Sequence, residues 1–192
     1  MRKVCLDDLV GLSRYGEVRS EARQRIIAVK RNRRIIVGEN VSIVFENFDT
    51  VLFQTQEMLF VERISDLDKV REELAVYNEL LPEPGELSAT MFVEITDPTQ
   101  MLPRLNELIG IDEHVSLVIG DQTIAGTFEP GRTREDKISA VQYVRFPLGA
   151  SAIDQLKRAG TPVAIAIDHP RYRARAELTE DQRRSLAEDV CD

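Results

Sequence analysis

Ser88-Ala-Thr-Met-Phe-Val-Glu-Ile95 and Ser139-Ala-Val-Gln-Tyr-Val-Arg-Phe146 read as two strands of one kind, offset by 51 residues. The same grammar follows each of them. After the first, Asp97-Pro98 opens a helix to about Ile109, with Pro close to its first turn. Val115–Ile119 and Thr123–Phe128 come next, as strands joined at Gly120-Asp121-Gln122. After the second, Ala150–Ala159 is a helix, and Val163–Ile167 and Tyr172–Glu177 are strands. Val115-Ser-Leu-Val-Ile119 aligns with Val163-Ala-Ile-Ala-Ile167 at an offset of 48. Residues 88–128 and 139–176 thus both read strand–helix–strand–strand. Any two such βαββ units look alike because both need alternating apolar strands, so an internal duplication and a merely shared topology are both open. Tandem units of this kind often form one continuous sheet with helices on one face. The expected fold class is therefore α+β, with N-terminal helices packed on a mostly antiparallel sheet, all in one domain over residues 1–192. Duplication would set Ser88–Ile95 beside Ser139–Phe146 about a pseudo-two-fold, with Glu94 and Arg145 pointing the same way and able to pair.

Upstream of residue 85 the periodicity is helical. A basic helix is expected from about Ser13 to Arg33, with Val18, Ala22, Ile26 and Val29 as its apolar stripe. Arg34–Val37 and Val41–Glu46 flank Gly38-Glu-Asn40, which is turn chemistry for a hairpin. Asp49 is placed to cap a helix running to about Ile64. That helix is apolar nearly all round and is expected to be buried. Ser65, with Asp68 three residues on, resembles a capping box for a further helix over about Asp66–Leu81. Val70, Leu74, Tyr77 and Leu81 line one face of that helix, and Pro82-Glu-Pro-Gly85 ends it. A final helix runs from about Thr179 to Asp189.

Charge is unevenly distributed. Residues 1–34 hold ten basic and four acidic residues, whereas residues 35–192 hold fifteen and twenty-nine. Arg19, Arg23, Lys30 and Arg34 fall in one stripe beside the apolar face of the first helix. Such a stripe binds either an acidic partner or phosphate. No aromatic residue interleaves it for base stacking and the chain has no Trp, which argues against nucleic acid. The plain alternative is a basic helix docked on, or solvated beside, an acidic body. No apolar run approaches membrane-spanning length, and Asp7 and Asp8 interrupt the N-terminus before a signal-type apolar core could form. The two cysteines, Cys5 and Cys191, cannot make a Cys₄ cluster. The sequence contains no phosphate-binding glycine loop, no nucleophile elbow and no zinc-ligand spacing, and no cofactor is assigned.

The polar groups on the apolar helix are the more informative ones. Glu57 lies between Phe53, Val61 and Ile64 on the helical wheel, and Gln56 lies between Leu52 and Phe60. A buried carboxylate must be paired, protonated or bound to something. One reading pairs Glu57 or Glu62 with a basic side chain of residues 19–34. The other is a ligand or metal pocket in which Gln54, Gln56 or Glu57 joins Tyr77, Asn78 and Glu94. His169, in Asp168-His-Pro-Arg-Tyr172, is a turn residue or a site histidine, because the residue before Pro is held extended. His114 is expected at the surface.

Several stretches together resemble the bacterial domain-of-unknown-function family 3501. They are Lys30-Arg-Asn-Arg-Arg34 leading into Val37-Gly38, Phe45-Glu46, Asp49-Thr50, Gln54-Thr-Gln-Glu-Met58, Glu62-Arg63-Ile64, Tyr77-Asn-Glu-Leu-Leu-Pro82, Leu87-Ser-Ala-Thr90 with Glu94, and Asp168-His-Pro-Arg-Tyr172. The resemblance supplies no activity, cofactor or catalytic residue. Members of that family tend to be encoded beside rubrerythrin-like proteins and iron–sulfur oxidoreductase subunits. It therefore implies a cytoplasmic accessory role in redox or oxidative-stress metabolism, with any iron–sulfur cluster belonging to a partner.

Two functions follow from the sequence. One is an accessory protein docking through the basic helix or the sheet. The other is a ligand- or metal-binding protein, or an enzyme, with a pocket around Glu57, Tyr77, Asn78, Glu94 and His169. Limited proteolysis of a one-domain chain is expected to cut first in the charged segment 130–137 and near Pro82–Gly85. Calorimetry should then show one unfolding transition, and two transitions split near residue 85 would contradict the single domain.

Overall fold

The computed structural model describes residues 1–97, 99–129, 133–134 and 137–190. Its elements, in chain order, are α1 (Leu12–Arg31), β1 (Arg34–Val37), β2 (Val41–Phe45), α2 (Phe48–Val61), α3 (Leu67–Asn78), β3 (Glu86–Val93), α4 (Met101–Glu107), β4 (Val115–Ile119), β5 (Gln122–Ala125), β6 (Thr127–Phe128), β7 (Thr133–Arg134), β8 (Lys137–Ile138), β9 (Val141–Pro147), α5 (Ala150–Lys157), β10 (Val163–His169), β11 (Tyr172–Glu177) and α6 (Glu180–Asp189). Short 3₁₀ turns at Leu6–Asp8 and Ile111–His114 complete the set. The fold is α+β with antiparallel sheets, and no described helix is long and apolar enough to cross a membrane.

The strands do not form one continuous sheet. One sheet has the order β1-β2-β3-β9-β6, and a second has the order β11-β10-β4-β5. Alternation explains the split. Ile43, Phe45, Met91 and Phe146 of the first sheet and Leu117, Ile119 and Ile165 of the second are all buried in one shared core. A single sheet covered on one side would leave half of this apolar surface in water, which facing sheets avoid. Gly126 makes one corner. The stretch expected as one strand, Thr123–Phe128, leaves the second sheet at Ala125 and enters the first at Thr127. A β-carbon on Gly126 would lie 2.7 Å from Val144 Cγ2, closer than real contacts allow. Tyr172 ties the other side: its hydroxyl donates to the Val37 carbonyl at 2.6 Å and accepts from Asn40 N at 3.1 Å, across the β1–β2 turn.

β3 and β9 do lie side by side, paired antiparallel with Ser88 opposite Arg145, and the β4–β5 and β10–β11 hairpins meet in the second sheet. Their flanks differ, because β3 sits between β2 and β9 while β9 sits between β3 and the two-residue β6. The structure does not establish a duplication. Glu94 and Arg145 do not pair either: Arg145 is bound to Glu86, and Glu94 to Arg34.

The outward face of the first sheet is polar yet covered. Ser88 and Thr90 are buried, as is Glu46 just beyond β2. They are covered by a layer of α1, α2 and α3 with a second, smaller apolar cluster that includes Val51, Leu59, Val70 and Leu74. Helix ends differ from expectation for local reasons. Asn47, not Asp49, caps α2: it is extended, its side-chain oxygen accepts from Thr50 N at 3.0 Å, and Thr50 Oγ1 accepts from Asn47 N at 2.9 Å. Asp66, not Ser65, caps α3 through the amides of Asp68 and Lys69. α2 is not buried all round, since Val61 is exposed at its end. α4 is shorter than expected because Asp97 accepts from Thr99 N and closes a turn ahead of it. Residues 130–132 and 135–136, within the charged segment, lie outside the described residues.

Arg33 joins the layers. It is 1% exposed and donates to the carbonyls of Phe45 at 2.8 Å and Glu46 at 3.0 Å, and to the Asp189 carboxylate at the end of α6. Breaking a buried pair leaves an uncompensated charge, whereas removing both charges relieves it. Arg33→Met is expected to destabilise the protein by about 3 kcal/mol or more in urea denaturation. The double variant Arg33→Met/Asp189→Leu should recover a large part of that loss.

Candidate functional site

The Glu57 carboxylate is held between α1 and α2. Arg19 Nε and Nη2 donate to its two oxygens at 2.9 Å each, and the Tyr15 hydroxyl donates to Oε1 at 2.8 Å. The spacing of the α1 residues sets this up, because Tyr15 and Arg19 are one turn apart on the face turned to α2. Arg19 also lies over the Phe60 ring, 5.0 Å from its centroid. The Glu57 side chain is 20% exposed and that of Arg19 33%, so the pair is half-buried. Its hydrogen bonds from Arg19 hold the Glu57 carboxyl below the usual range, against the opposing pull of desolvation. Burial first, then the hydrogen bond to Glu57, raise the Tyr15 phenol. Glu57 therefore has an internal partner from the basic segment.

Gln56 and Asn78 have a different task. Gln56 Nε2 donates to the Val10 carbonyl at 2.9 Å and Oε1 accepts from Val10 N at 2.7 Å. Asn78 does the same with Val4, at 2.9 and 2.8 Å. Each side-chain amide imitates a strand residue and pins the N-terminal segment against α2 and α3. Gln54 donates to Glu46 at 3.1 Å. Glu46, 2% exposed, also accepts from the hydroxyls of Thr50 and Thr90. No site role for this carboxylate follows from the sequence, although it stands in the Phe45-Glu46 stretch of the resemblance and directly before the α2 cap, where a helix N-terminus favours negative charge.

The other candidates lie apart. Glu94 is bound to Arg34 and Ser42 at the β1–β2 edge, and these contacts, Ser42 foremost, lower its carboxyl. His169 is buried in the second sheet, with Nε2 3.1 Å from the Ile109 carbonyl and Nδ1 accepting from Arg171 N at 3.3 Å. His114 is half-buried, not at the surface, and packs edge-on against His169 at 5.3 Å between ring centroids. Tyr77 and Asn78 line a groove of about 1030 Å³ with Tyr143, Arg145 and Phe128; Glu57, Glu94 and His169 do not. The five residues expected around one pocket thus do not share one, because α2, the end of α3 and the two sheets place them on different faces. No group of three or more His, Cys, Asp or Glu able to hold a metal occurs among the described residues.

The basic stripe divides in the same way. Arg19 is engaged by Glu57 and Arg34 by Glu94. Arg23, Lys30 and the neighbouring Arg31 make no ion pair among the described residues. Between them on the helix wheel stands Ile27, 64% exposed.

Glu57→Gln is expected to destabilise the fold by about 1–2 kcal/mol, less than a fully buried pair because both groups reach solvent. The sign with pH follows from the lowered carboxyl. The stabilisation is complete above the ordinary carboxylate value of about 4.5 and is lost as pH falls through the lower folded value. Unfolding midpoints of wild type and Glu57→Gln measured from pH 7 to pH 3 should therefore converge at the acid end.

No curated protein matches the chain. The structure is similar to the crystal structure of a protein of unknown function from Burkholderia pseudomallei, with a TM-score of 0.92 and 34% identity over 99% of this chain and 100% of that one. The family model described as protein of unknown function (DUF3501) matches residues 3–190. Matched over nearly its whole length, the chain belongs to the DUF3501 family.

Proposed function

We propose that this protein is an accessory protein of a redox or oxidative-stress system that docks a partner through the outer flank of α1. The observation that carries the reading is the unpaired cationic flank itself. Arg23, Lys30 and Arg31 surround an exposed isoleucine in a protein whose net charge is −8. Arg19, Arg25 and Arg34 are neutralised by nearby carboxylates. Cations left free around an apolar side chain suit an acidic protein surface, which is steered by the charges and then buries the isoleucine. The partner class, an iron–sulfur oxidoreductase or a rubrerythrin-like protein in the cytoplasm, comes from the family resemblance.

A second reading, a ligand-binding protein or enzyme, is favoured by one feature. The groove at Tyr77 and Asn78 is large enough for a small molecule, and the Tyr77 hydroxyl has no hydrogen-bond partner among the described residues. Burial raises that phenol, so it would meet a ligand protonated.

Tagged full-length protein isolated from its own host should retain an iron–sulfur or rubrerythrin-like partner. Arg23→Glu/Lys30→Glu should lose it at least tenfold while the fold is unchanged by circular dichroism. A partner retained equally by the double variant would refute the docking face, and recovery of nucleic acid alone would refute a protein partner. A stoichiometric small molecule lost on Tyr77→Ala would instead support the groove.

A further inference from the structure

We propose that the slot between α1 and α2 is a binding site for a neutral amphiphile: a medium-length alkyl chain ending in a hydroxyl or carbonyl. The slot has a volume of about 210 Å³. Val18, Ala22, Ile26 and Val29 of α1 form one wall, and Leu52 and Phe53 of α2 the other. From Val18 to Val29 the helix rises about 16 Å, so the wall is long and narrow. Of these six side chains only Ile26 is buried; the rest stay half-exposed because the helices do not close over Ala22. The slot is open along one side, so an alkyl chain lying in it would keep part of its surface in water.

The polar groups around the slot define the head of the occupant. The Tyr15–Glu57 and Arg25–Asp49 contacts run the helices antiparallel. Val10, held by Gln56, lies towards one end, and the Arg25–Asp49 bridge, at 3.1 Å, lies towards the other. Asp8 is paired with Arg2 at 2.7 Å, and Tyr15 is engaged by Glu57. Each polar side chain lining the slot thus has a partner already, which leaves little to hold ordered water in its middle. The ion pairs at its rim balance, so no net charge there favours a charged head. A hydroxyl can donate to Asp49 and accept from Arg25 with the bridge intact.

The test uses the full chain and n-butanol, n-hexanol and n-octanol, with binding measured by calorimetric titration. Affinity is expected to rise about twofold for each added methylene, half the free energy of a fully buried one. Ala22→Leu, or Ala22→Met if the leucine variant does not fold, fills the slot and should weaken octanol binding at least tenfold. Octanoate and octylammonium should bind more weakly than octanol. Absence of octanol binding, undiminished binding by the filled variant, or tighter binding of either charged chain would each overturn the proposal. The site is separate from the cationic flank, so the Arg23→Glu/Lys30→Glu variant should bind octanol normally.

Discussion

A guanidinium removed from water must find its hydrogen bonds inside the protein, and Arg33 finds them at the end of β2 and on α6 at once. Its chain position explains the geometry. α1 stops at Arg31, and the turn that follows drops Arg33 under the end of β2, where the carbonyls of Phe45 and Glu46 have no further ladder partner on that side. The remaining amino groups reach Ser185 and Asp189 on α6. The first helix, the first hairpin and the last helix are thereby indexed to one another by a single side chain. The desolvation of that charge is offset only when all of them are in place. Such a node adds less to stability than to uniqueness, since an alternative packing of α6 would leave a buried charge unanswered.

The helical layer rests on a different principle. Its contact with the first sheet includes hydrogen bonds among Glu46, Thr50, Gln54 and Thr90, beside an apolar cluster that reaches Tyr143 of β9. The N-terminal segment is fastened in the same manner by the amides of Gln56 and Asn78. Polar contacts of this kind fix register strongly and add little net free energy, because each replaces a bond to water. The register of the layer is therefore set by these polar contacts, while the larger share of buried apolar surface lies between the facing sheets.

Periodicity made much of this legible. The amphipathic order of α3, the alternation of β3, β4 and β10, and the helix–hairpin grammar after each central strand could be read directly from the residues. The partner of Glu57 was legible as well, since only residues 19–34 carry an excess of cations. What alternation could not show was which face of a strand meets what. Ser88 and Thr90 look like solvent-facing positions and are in fact buried, Ser88 against the Leu80 carbonyl and Thr90 against Glu46. For the same reason the proposed five-residue pocket dispersed: a helical wheel tells that a side chain points inward but not which neighbour it meets. Caps were misplaced by one or two residues because Asn47, Asp49, Ser65 and Asp66 are all capping types, and only the backbone angles choose among them.

The strand interrupted at Gly126 has a mechanical meaning. Because the run from Gln122 to Phe128 is hydrogen-bonded first to one sheet and then to the other, the two sheets share a covalent seam at that corner. Sliding one sheet over the other would stretch or tear a backbone that has no slack, so shear between them is blocked. The two sheets are in that sense one body, with the three-helix layer added to its outer face.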